Sequence, residues 1–276
     1  MTDTMSKNAL DFYYSKVSGI TNNESAPHFH HALEIYYLQE GVCSYFMGNR
    51  FYQIHPGDLV LIPEGTIHST KYNNSQHSRV VVNCSSEYIP ESVLERLPSI
   101  EMIYRNSTLI PLFDKLFAKI EKEVTEPDKL SQDLLKCYTA ELLLMVVRNK
   151  NEYAVRKEEN NLIPEAIRYL QQNYMNEVKL SAVAKLLLVS PEHLSRTFKK
   201  EMGIGFNEYL TIFRLQKAEF MLRSCPNKPI SEIAYVCGFN DGNYFSYKFK
   251  EAYGYSPMKI KGKKYDQAPR KGLGSE

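Results

Sequence analysis

The sequence predicts a multidomain α+β protein, in which an N-terminal antiparallel β-barrel with a helical pair precedes an all-α region. Three observations support this fold class: short runs rich in Tyr, Val and Ile before residue 85, apolar residues at helical spacing after residue 109, and a C-terminal segment that repeats itself. The 276 residues suffice for about two domains of roughly 150 residues, each with its own core. The boundaries that we predict are 1–98 for the barrel, 99–150 for the helical pair, 151–161 for a linker, 162–264 for the repeated helical domain and 265–276 for a flexible tail.

The composition excludes several classes of protein. With 43% hydrophobic and 24% charged residues, the chain has ordinary globular usage, which argues against collagen-like, low-complexity or disordered sequence. The longest apolar run, from Leu142 to Val147, is far shorter than the roughly 20 residues of a membrane span, and the N-terminus has no signal-peptide pattern. None of the five cysteines forms a C-x-x-C pair. We therefore expect a cytoplasmic protein with reduced cysteines, without a membrane segment, a disulfide framework or a thiolate zinc site.

The segment from Leu33 to Cys84 predicts the barrel. The stretches LEIYYLQE, CSYFMG, RFYQIH, DLVLIP and RVVVNC are short, rich in β-branched and aromatic residues, and separated by turn signals such as Gly48-Asn49. Closely spaced strands of this kind are typical of a small antiparallel barrel or sandwich.

The following segment predicts an antiparallel pair of helices. Apolar residues follow helical spacing from Leu109 to Ile120, stop before Pro127, and resume from Leu130 to Met145. The sequence leaves two roles open for this pair: it can cover the open face of the barrel, or it can form a dimer interface.

Charge and histidine content differ between the two halves of the chain. Residues 1–159 contain 16 basic and 21 acidic residues, whereas residues 160–276 contain 18 basic and 11 acidic residues, so the net charges are −5 and +7. A basic C-terminal half indicates a polyanionic partner such as nucleic acid. Six of the seven histidines lie in the first 80 residues, which favours a small-molecule or metal site there.

The C-terminal half contains two copies of one helical unit. Residues 198–203 (FKKEMG) match residues 249–254 (FKEAYG) at an offset of 51. Each copy begins with a short amphipathic helix after a serine cap, Ser181 or Ser231, and continues through a turn into a second helix. In the first copy, Ser190-Pro191 forms a capped start of that second helix.

The second helix of each copy has one buried face and one exposed face. The buried stripes are predicted at Leu194, Phe198, Met202, Phe245 and Phe249. On the exposed faces, base-edge donors and acceptors lie beside lysines, which is the inventory of a recognition helix. The exposed residues are Glu192, Ser195, Arg196, Lys199 and Lys200 in the first copy, and Asn243, Tyr244, Tyr247, Lys248 and Lys250 in the second.

Residues 160–262 resemble the double helix-turn-helix domain of the AraC family of bacterial transcription regulators. The resemblance includes the turn from Ala234 to Gly238, both Phe-Lys segments and the closing Tyr-Gly-Tyr-Ser-Pro of residues 253–257. It implies that Glu192, Ser195 and Arg196 face bases in one major groove, and that Gly242, Asn243 and Tyr247 face bases in the next.

Two positions depart from the family pattern. Leu188 stands in the first turn where family members often have glycine, so a positive φ there would strain the backbone. Tyr247 stands where a charged or amide side chain is usual, which puts the base preference of the second unit in question.

A set of histidines and a glutamate predicts a polar site in the barrel. His28, His30, Glu34 and His68, with the glycines and proline between them, resemble the two conserved motifs of the cupin superfamily. Residues 28, 30 and 34 share parity and would point to one face of an extended strand, where His68 could join them from a neighbour.

Two kinds of ligand suit this set. The three imidazoles and the carboxylate could hold iron, manganese or zinc. Sensor barrels of AraC-type regulators instead generally bind a small effector, often a sugar, without metal, and this is our expectation for the cofactor: none. Tyr36, Tyr45 and Phe46 would then be stacking surfaces. His31, His55 and His77 are expected at the surface.

The sequence therefore predicts a transcription regulator controlled by a small-molecule effector, and not an enzyme. Its expected partners are an operator in double-stranded DNA, an effector such as a sugar, RNA polymerase and a second copy of the chain, and its expected mode is activation. The alternative is a metal-dependent cupin enzyme fused to a DNA-binding tail. No nucleophile–base pair or phosphate loop is evident in the sequence, so metal chemistry is the only enzymatic route that it suggests.

Overall fold

The computed structural model describes residues 4–5, 12–21, 25–72, 76–97, 102–152 and 162–262. Residues 153–161 of the predicted linker and the whole predicted tail, 265–276, lie outside the described residues.

The N-terminal half consists of two antiparallel sheets that form an open, cupin-like barrel. The strands of the described residues are β1 (Thr4–Met5), β2 (Phe12–Ile20), β3 (Ser25–His28), β4 (Leu33–Glu40), β5 (Cys43–Met47), β6 (Arg50–Ile54), β7 (Leu59–Ile62), β8 (His68–Lys71), β9 (His77–Cys84) and β10 (Ile103–Tyr104). One sheet has the order β1-β2-β9-β4-β7-β10 and the other β3-β8-β5-β6. The predicted antiparallel fold class is confirmed, and β10 extends the first sheet beyond residue 98, where we placed the end of the barrel.

Alternation along β4 divides its side chains between two environments, because successive strand residues face opposite sides of a sheet. Tyr37 faces outward, and its ring stacks on Phe117 with the ring centroids 4.8 Å apart. Its neighbour Tyr36 lies between the two sheets, where its hydroxyl is 2.9 Å from the hydroxyl of Tyr72. Separate apolar cores therefore form outside the larger sheet and between the sheets.

The predicted helical pair is confirmed and covers the outer face of the six-stranded sheet. After a short α1 (Glu91–Leu94), its helices are α2 (Ile110–Thr125) and α3 (Ser131–Arg148). The buried stripe of α2 packs on this sheet, where the Tyr37 hydroxyl donates to the Asp114 carboxylate at 2.9 Å. Within the described part of the chain, no helix has the length and apolar character needed to span a membrane.

The C-terminal half is helical, as predicted. Its helices are α4 (Leu162–Asn173), α5 (Leu180–Leu186), α6 (Pro191–Met202), α7 (Phe206–Ser224), α8 (Ile230–Val236), α9 (Gly242–Tyr253) and α10 (Pro257–Ile260). The repeated units are α5–α6 and α8–α9, and the long α7 connects them. The predicted stripes are buried: Leu194, Phe198, Met202, Phe245 and Phe249 all belong to one apolar core.

The helix cap predicted for α6 is confirmed, but those predicted for α5 and α8 are not. The Ser190 hydroxyl accepts from the amide of His193 at 3.1 Å, as expected. The prediction that Ser181 and Ser231 are caps is wrong, because α5 begins at Leu180 and α8 at Ile230. Leu180 and Ile230 pack against the C-terminal core, and this packing extends each helix to a residue before the serine.

The two domains are packed together through polar and apolar contacts. Phe29, Phe46 and Ile67 of the barrel join the apolar core of the C-terminal helices. Asn49 and Gln171 exchange two amide hydrogen bonds of 2.6 and 2.8 Å. This interface reaches the edge of the polar site.

Candidate functional site

The four residues predicted for the polar site do meet in space. His28, at the end of β3, pairs in register with His68 on β8, and their ring centroids are 4.3 Å apart. Glu34 on β4 is 3.0 Å from His30 Nε2 and 3.7 Å from His68 Nε2. His30 lies in the connection between β3 and β4 rather than on a strand, and its Nδ1 donates to the Ala32 carbonyl at 3.0 Å. We call His28, His30, Glu34 and His68 the barrel cluster.

Burial and charge set the ionisation of the barrel cluster. Burial alone would raise the pKa of Glu34, but the charges and hydrogen bonds of His68 and His30 hold that pKa well below its usual value. Burial tends to lower the pKa of His68, yet the adjacent Glu34 carboxylate raises it. For His28, burial and the charge of His68 outweigh the attraction of Glu34 and lower the pKa to about 4. Near neutral pH the cluster therefore contains a carboxylate, a neutral His28 and an imidazole that favours the charged form.

The donor set of the cluster suits a divalent metal. The ligand atoms of His30, Glu34 and His68 all lie within 4.8 Å of one another. Tetrahedral ligands bound at about 2.1 Å lie about 3.4 Å apart, so the most widely separated pair would have to close by up to about 1.4 Å to bind one ion. His28 and His68 each donate from Nδ1 to a backbone carbonyl at 2.8 Å, which leaves Nε2 directed elsewhere, as in many metal-ligating histidines.

Tyrosines fill much of the space between the sheets. The Tyr45 hydroxyl donates to Glu34 at 2.9 Å, and Tyr36 packs edge-on against the Tyr45 ring at 5.1 Å. Of the two predicted tyrosines, Tyr45 thus contacts the cluster directly, and Tyr36 reaches it only through Tyr45. The prediction for Phe46 is wrong, because alternation along β5 turns its ring to the other face, where it packs against Phe51 and the C-terminal helices.

The remaining histidines only partly follow their predictions. His55 is exposed, as expected. The prediction that His77 lies at the surface is wrong. His77 is fully buried on β9, and the centroid of its ring lies 3.4 Å from that of the stacked Tyr72 ring. The surface prediction for His31 is also wrong, because this residue contacts the C-terminal domain. Its Nε2 lies 2.7 Å from the Glu219 carboxylate of α7, and its Nδ1 lies 3.4 Å from the Glu64 carboxylate. Parity places residue 31 away from the cluster, but the sequence gives no indication that another domain packs there.

An open groove of about 660 Å³ lies on the outer side of the six-stranded sheet and does not include the barrel cluster. Its two carboxylates are already bonded: Asp114 accepts from Tyr37, and Glu40 accepts from Ser78 at 2.7 Å. We therefore place the candidate ligand site at the cluster, where buried polar groups converge.

The predicted DNA-reading residues are exposed on α6 and α9 while the domains are packed together. All five residues predicted on α6 are exposed. Of those predicted on α9, only Lys248 is half-buried, and it forms an ion pair of 2.7 Å with Glu251. The exposed residues are Glu192, Ser195, Arg196, Lys199, Lys200, Gly242, Asn243, Tyr244, Tyr247 and Lys250. Lys71 of the barrel donates to the carbonyl of Lys200 at 2.6 Å, at the C-terminal end of α6. The N-terminal end of α6, which enters the groove in helix-turn-helix proteins, is not covered by this contact.

A barrel with a polar cluster, packed against two exposed recognition helices, defines a DNA-binding regulator with its own ligand-binding domain. Comparison with known families agrees: the AraC-like ligand binding domain matches residues 16–142, and a helix-turn-helix domain matches residues 183–263. The chain belongs to the AraC family of transcription regulators.

Known proteins with similar sequences are regulators. The chain is 37% identical over 108 residues to the uncharacterized HTH-type transcriptional regulator YijO of Escherichia coli, which covers 39% of this chain and 38% of YijO. It is 23% identical over 271 residues to the HTH-type transcriptional activator RhaS of Escherichia coli, which covers 92% of this chain and 95% of RhaS. These relatives argue against the alternative of a cupin enzyme with a DNA-binding tail.

Among solved structures, the chain matches an apo single-substitution variant of ToxT from Vibrio cholerae. It has 15% sequence identity and a TM-score of 0.41, and the match covers 91% of this chain and 97% of ToxT.

Sequence reasoning missed two functional candidates. Glu219 of α7 is 1% exposed and bonds to both His31 and Arg223. A carboxylate on an otherwise ordinary helix gives no signal of such a role. Arg79 lies between the sheets on β9, and here a signal was available: a basic residue stands at an inward position of an apolar strand.

Proposed function

We propose that a small-molecule effector, such as a sugar, binds at the barrel cluster beside Tyr36 and changes how the barrel holds the DNA-binding helices. The regulator would act on an operator in cytoplasmic DNA as a homodimer and activate transcription through contact with RNA polymerase. The relation to RhaS, a transcriptional activator, supports activation. Exposed apolar side chains on the helical pair, Leu130 and Leu144, support a dimer interface there.

The observation that carries this proposal is a short path from the cluster to α7. His30 bonds to Glu34 in the cluster, and the next residue, His31, bonds to Glu219 of α7. A second path runs through Gly65, whose amide donates to the His30 carbonyl at 2.9 Å and whose carbonyl accepts from Gln216 of α7. A ligand that moves His30 therefore acts on both contacts to the helix that connects the two DNA-binding units.

Both recognition faces stay exposed while these contacts exist, so the proposed control does not depend on covering them. It depends on the orientation of the two units that α7 connects. A ligand shifts such an equilibrium only by its difference in affinity for the two arrangements. The contacts of His31 and Gly65 provide that difference, because they are made only when the barrel is packed on α7.

Effector screening in the presence of operator DNA tests this proposal. A duplex selected from a random library would be titrated with the full-length protein, with and without each of a panel of pentoses, hexoses and their derivatives. We expect one compound to raise the melting temperature and change the DNA affinity by fivefold or more. Glu34→Gln should remove this response and leave effector-free DNA binding nearly unchanged. A response that survives Glu34→Gln would place the effector elsewhere.

A metal-assisted site is the second candidate, favoured by the donor set of His30, Glu34 and His68. We propose that the effector binds without a metal ion. Protein purified without chelator should therefore contain little iron, manganese or zinc by elemental analysis. Near-stoichiometric metal that is lost in His30→Ala would contradict this and support the metal-assisted site.

A further inference from the structure

A basic side chain lies between the two sheets of the barrel. Arg79 on β9 pairs in register with Val17 on β2 and with Leu38 on β4. Residues two apart on a strand share a face, so Arg79 lies on the same face as Val81, which belongs to the core between the sheets. The Arg79 side chain is half-buried there.

The charge of Arg79 has no bonded partner among the residues that the structure describes. The Glu34 carboxylate is near enough to favour the charged guanidinium, but its oxygens already bond to Tyr45 and His30. Tyr36 and Tyr72 are also near, and burial raises the pKa of both phenols, so they are neutral near pH 7. Neither phenol can therefore balance the positive charge.

A half-buried guanidinium without a bonded protein partner can bind an anion. It has five N–H donors in a planar fork, which match the two oxygens of a carboxylate or a phosphate group. Removing a charge from water without a partner opposes folding, whereas a charge that a ligand pairs contributes to affinity and selectivity.

The position of Arg79 relative to the barrel cluster defines the shape of the ligand. Along β4, Glu34 pairs with Asn83 and Leu38 pairs with Arg79, so the two backbone positions are about 13 Å apart. Tyr36 pairs with Val81 between them, and its hydroxyl and that of Tyr72 lie inside the barrel. Along the β4–β9 pair, hydrogen-bonding groups of the barrel cluster thus lie at one end and Arg79 at the other, with the Tyr36 position between them.

We propose that the effector is an anionic polyhydroxylated molecule, a sugar acid or a sugar phosphate, whose anionic group binds Arg79 while its hydroxyls bind the barrel cluster. This inference rests on the proposed function, since it identifies the chemical class of the ligand of that same site.

Matched pairs of ligands test the proposal on the full-length protein. Galacturonate is compared with galactose, gluconate with glucitol, and glucose 6-phosphate with glucose, by thermal shift and by calorimetric titration. We expect an anionic member to bind at least tenfold more tightly than its neutral counterpart. The carboxylate and phosphate members distinguish the two kinds of anion.

Three variants assign the effect to Arg79. Arg79→Met should lose at least tenfold in affinity for the anion, and Arg79→Lys should keep part of it, because the charge remains but the fork is lost. Arg50→Met is the matched control, since Arg50 is exposed on β6. Ligand-free Arg79→Met should melt no lower than the wild type, which separates lost binding from misfolding.

Three results would overturn the inference: neutral ligands that bind as tightly as anionic ones, anion binding that Arg79→Met retains, or no stabilisation by any anion of the panel. If neutral sugars act through Glu34 and change DNA affinity while Arg79→Met responds normally, the inference fails and the proposed function stands. If no ligand of either kind changes the melting temperature or the DNA affinity, both fail.

Discussion

Leu188 and Gly238 occupy equivalent positions in the turns of the two DNA-binding units, and both have a positive φ, which favours glycine. Leu188 in the first turn has φ 58° and is 93% exposed, so its side chain gains almost nothing from packing while the backbone is strained. Gly238 in the second turn has φ 85°, and a Cβ there would meet the Tyr174 carbonyl and the Arg214 guanidinium. The strain that the sequence predicts at Leu188 is thus confirmed by its positive φ.

Exchanging the two residue types should change stability in opposite directions. Leu188→Gly relieves the strained φ, partly offset by the greater freedom of glycine in the unfolded chain, so we expect a gain of about 0.5–1 kcal/mol in the free energy of unfolding. Gly238→Ala should lose more than about 2 kcal/mol, since it adds both strain and steric overlap. Urea denaturation measures both, and a loss of stability in Leu188→Gly would show that the turn is not strained.

The pKa values of His28 and His31 in the barrel shift in opposite directions, although the two residues are close in sequence. Burial lowers the pKa of His31, but hydrogen bonds to Glu219 and Glu64 outweigh burial and raise it. His28, next to His68, has a pKa lowered to about 4. Because the folded pKa of His31 is raised, its contribution to stability is complete below pH 6.5 and is lost as the pH rises through the folded value. Glu34 has a lowered pKa, so its contribution is present above pH 4.5 and is lost as the pH falls.

Proton NMR of the histidine rings tests these directions. We expect His31 to titrate above pH 6.5 and His28 to titrate near pH 4. In Glu219→Gln the His31 midpoint should fall, since burial remains while one acceptor charge is removed. A His31 midpoint that does not respond to Glu219→Gln would show that the two side chains are not paired in solution.

At the scale of elements, α6 carries two basic residues with different expected roles. Arg196 lies between the buried Leu194 and Phe198 and is exposed early in the helix, where side chains reach base edges. Lys200 lies about one turn later, near the end of the helix, where side chains reach phosphates.

Replacing each residue should therefore have a different effect on binding to single-base variants of a selected duplex. Arg196→Ala should cost about 1–3 kcal/mol and relax the preference at one base position. Lys200→Ala should weaken all sequences equally and reduce the salt slope by about one unit. A uniform loss in Arg196→Ala would make it a phosphate contact and move base reading to Glu192 and Ser195.

The sequence predicts these elements well where periodicity, caps and repeats are local. It predicts the recognition helices, the Ser190 cap and the meeting of His28, His30, Glu34 and His68. It fails where tertiary packing decides the environment, as for Phe46 and His31, which pack against a domain more than 100 residues away in the chain. His77 fails for a related reason, because its burial depends on the Tyr72 ring from a neighbouring segment.

At the scale of the whole molecule, the contact of His31 with Glu219 connects the two domains. Glu219 also bonds to Arg223 on the same helix, at 2.7 Å, so its carboxylate is shared between the domains. The pair is almost fully removed from water, and a buried carboxylate that loses a partner is unfavourable.

We therefore expect His31→Gln to weaken the domain interface by about 1–3 kcal/mol. Calorimetric unfolding should separate into two transitions, one for each domain, while the exposed His55→Gln keeps the wild-type profile. Unchanged unfolding in His31→Gln would show that the apolar contacts of Phe29, Phe46 and Ile67 suffice to hold the domains together.

We expect the two recognition helices, which α7 connects, to read two successive major grooves of one DNA duplex. Hydroxyl-radical footprinting of the full-length protein on its selected duplex tests this most directly, at several salt concentrations. Two patches on one face of the DNA, about 34 Å apart, should be protected, and the logarithm of the binding constant should fall linearly with the logarithm of salt concentration. Arg196→Ala should weaken protection in one patch and Asn243→Ala in the other. A single patch would show that the two helices do not read one duplex together, and an affinity indifferent to salt would show that the lysines do not contact phosphates.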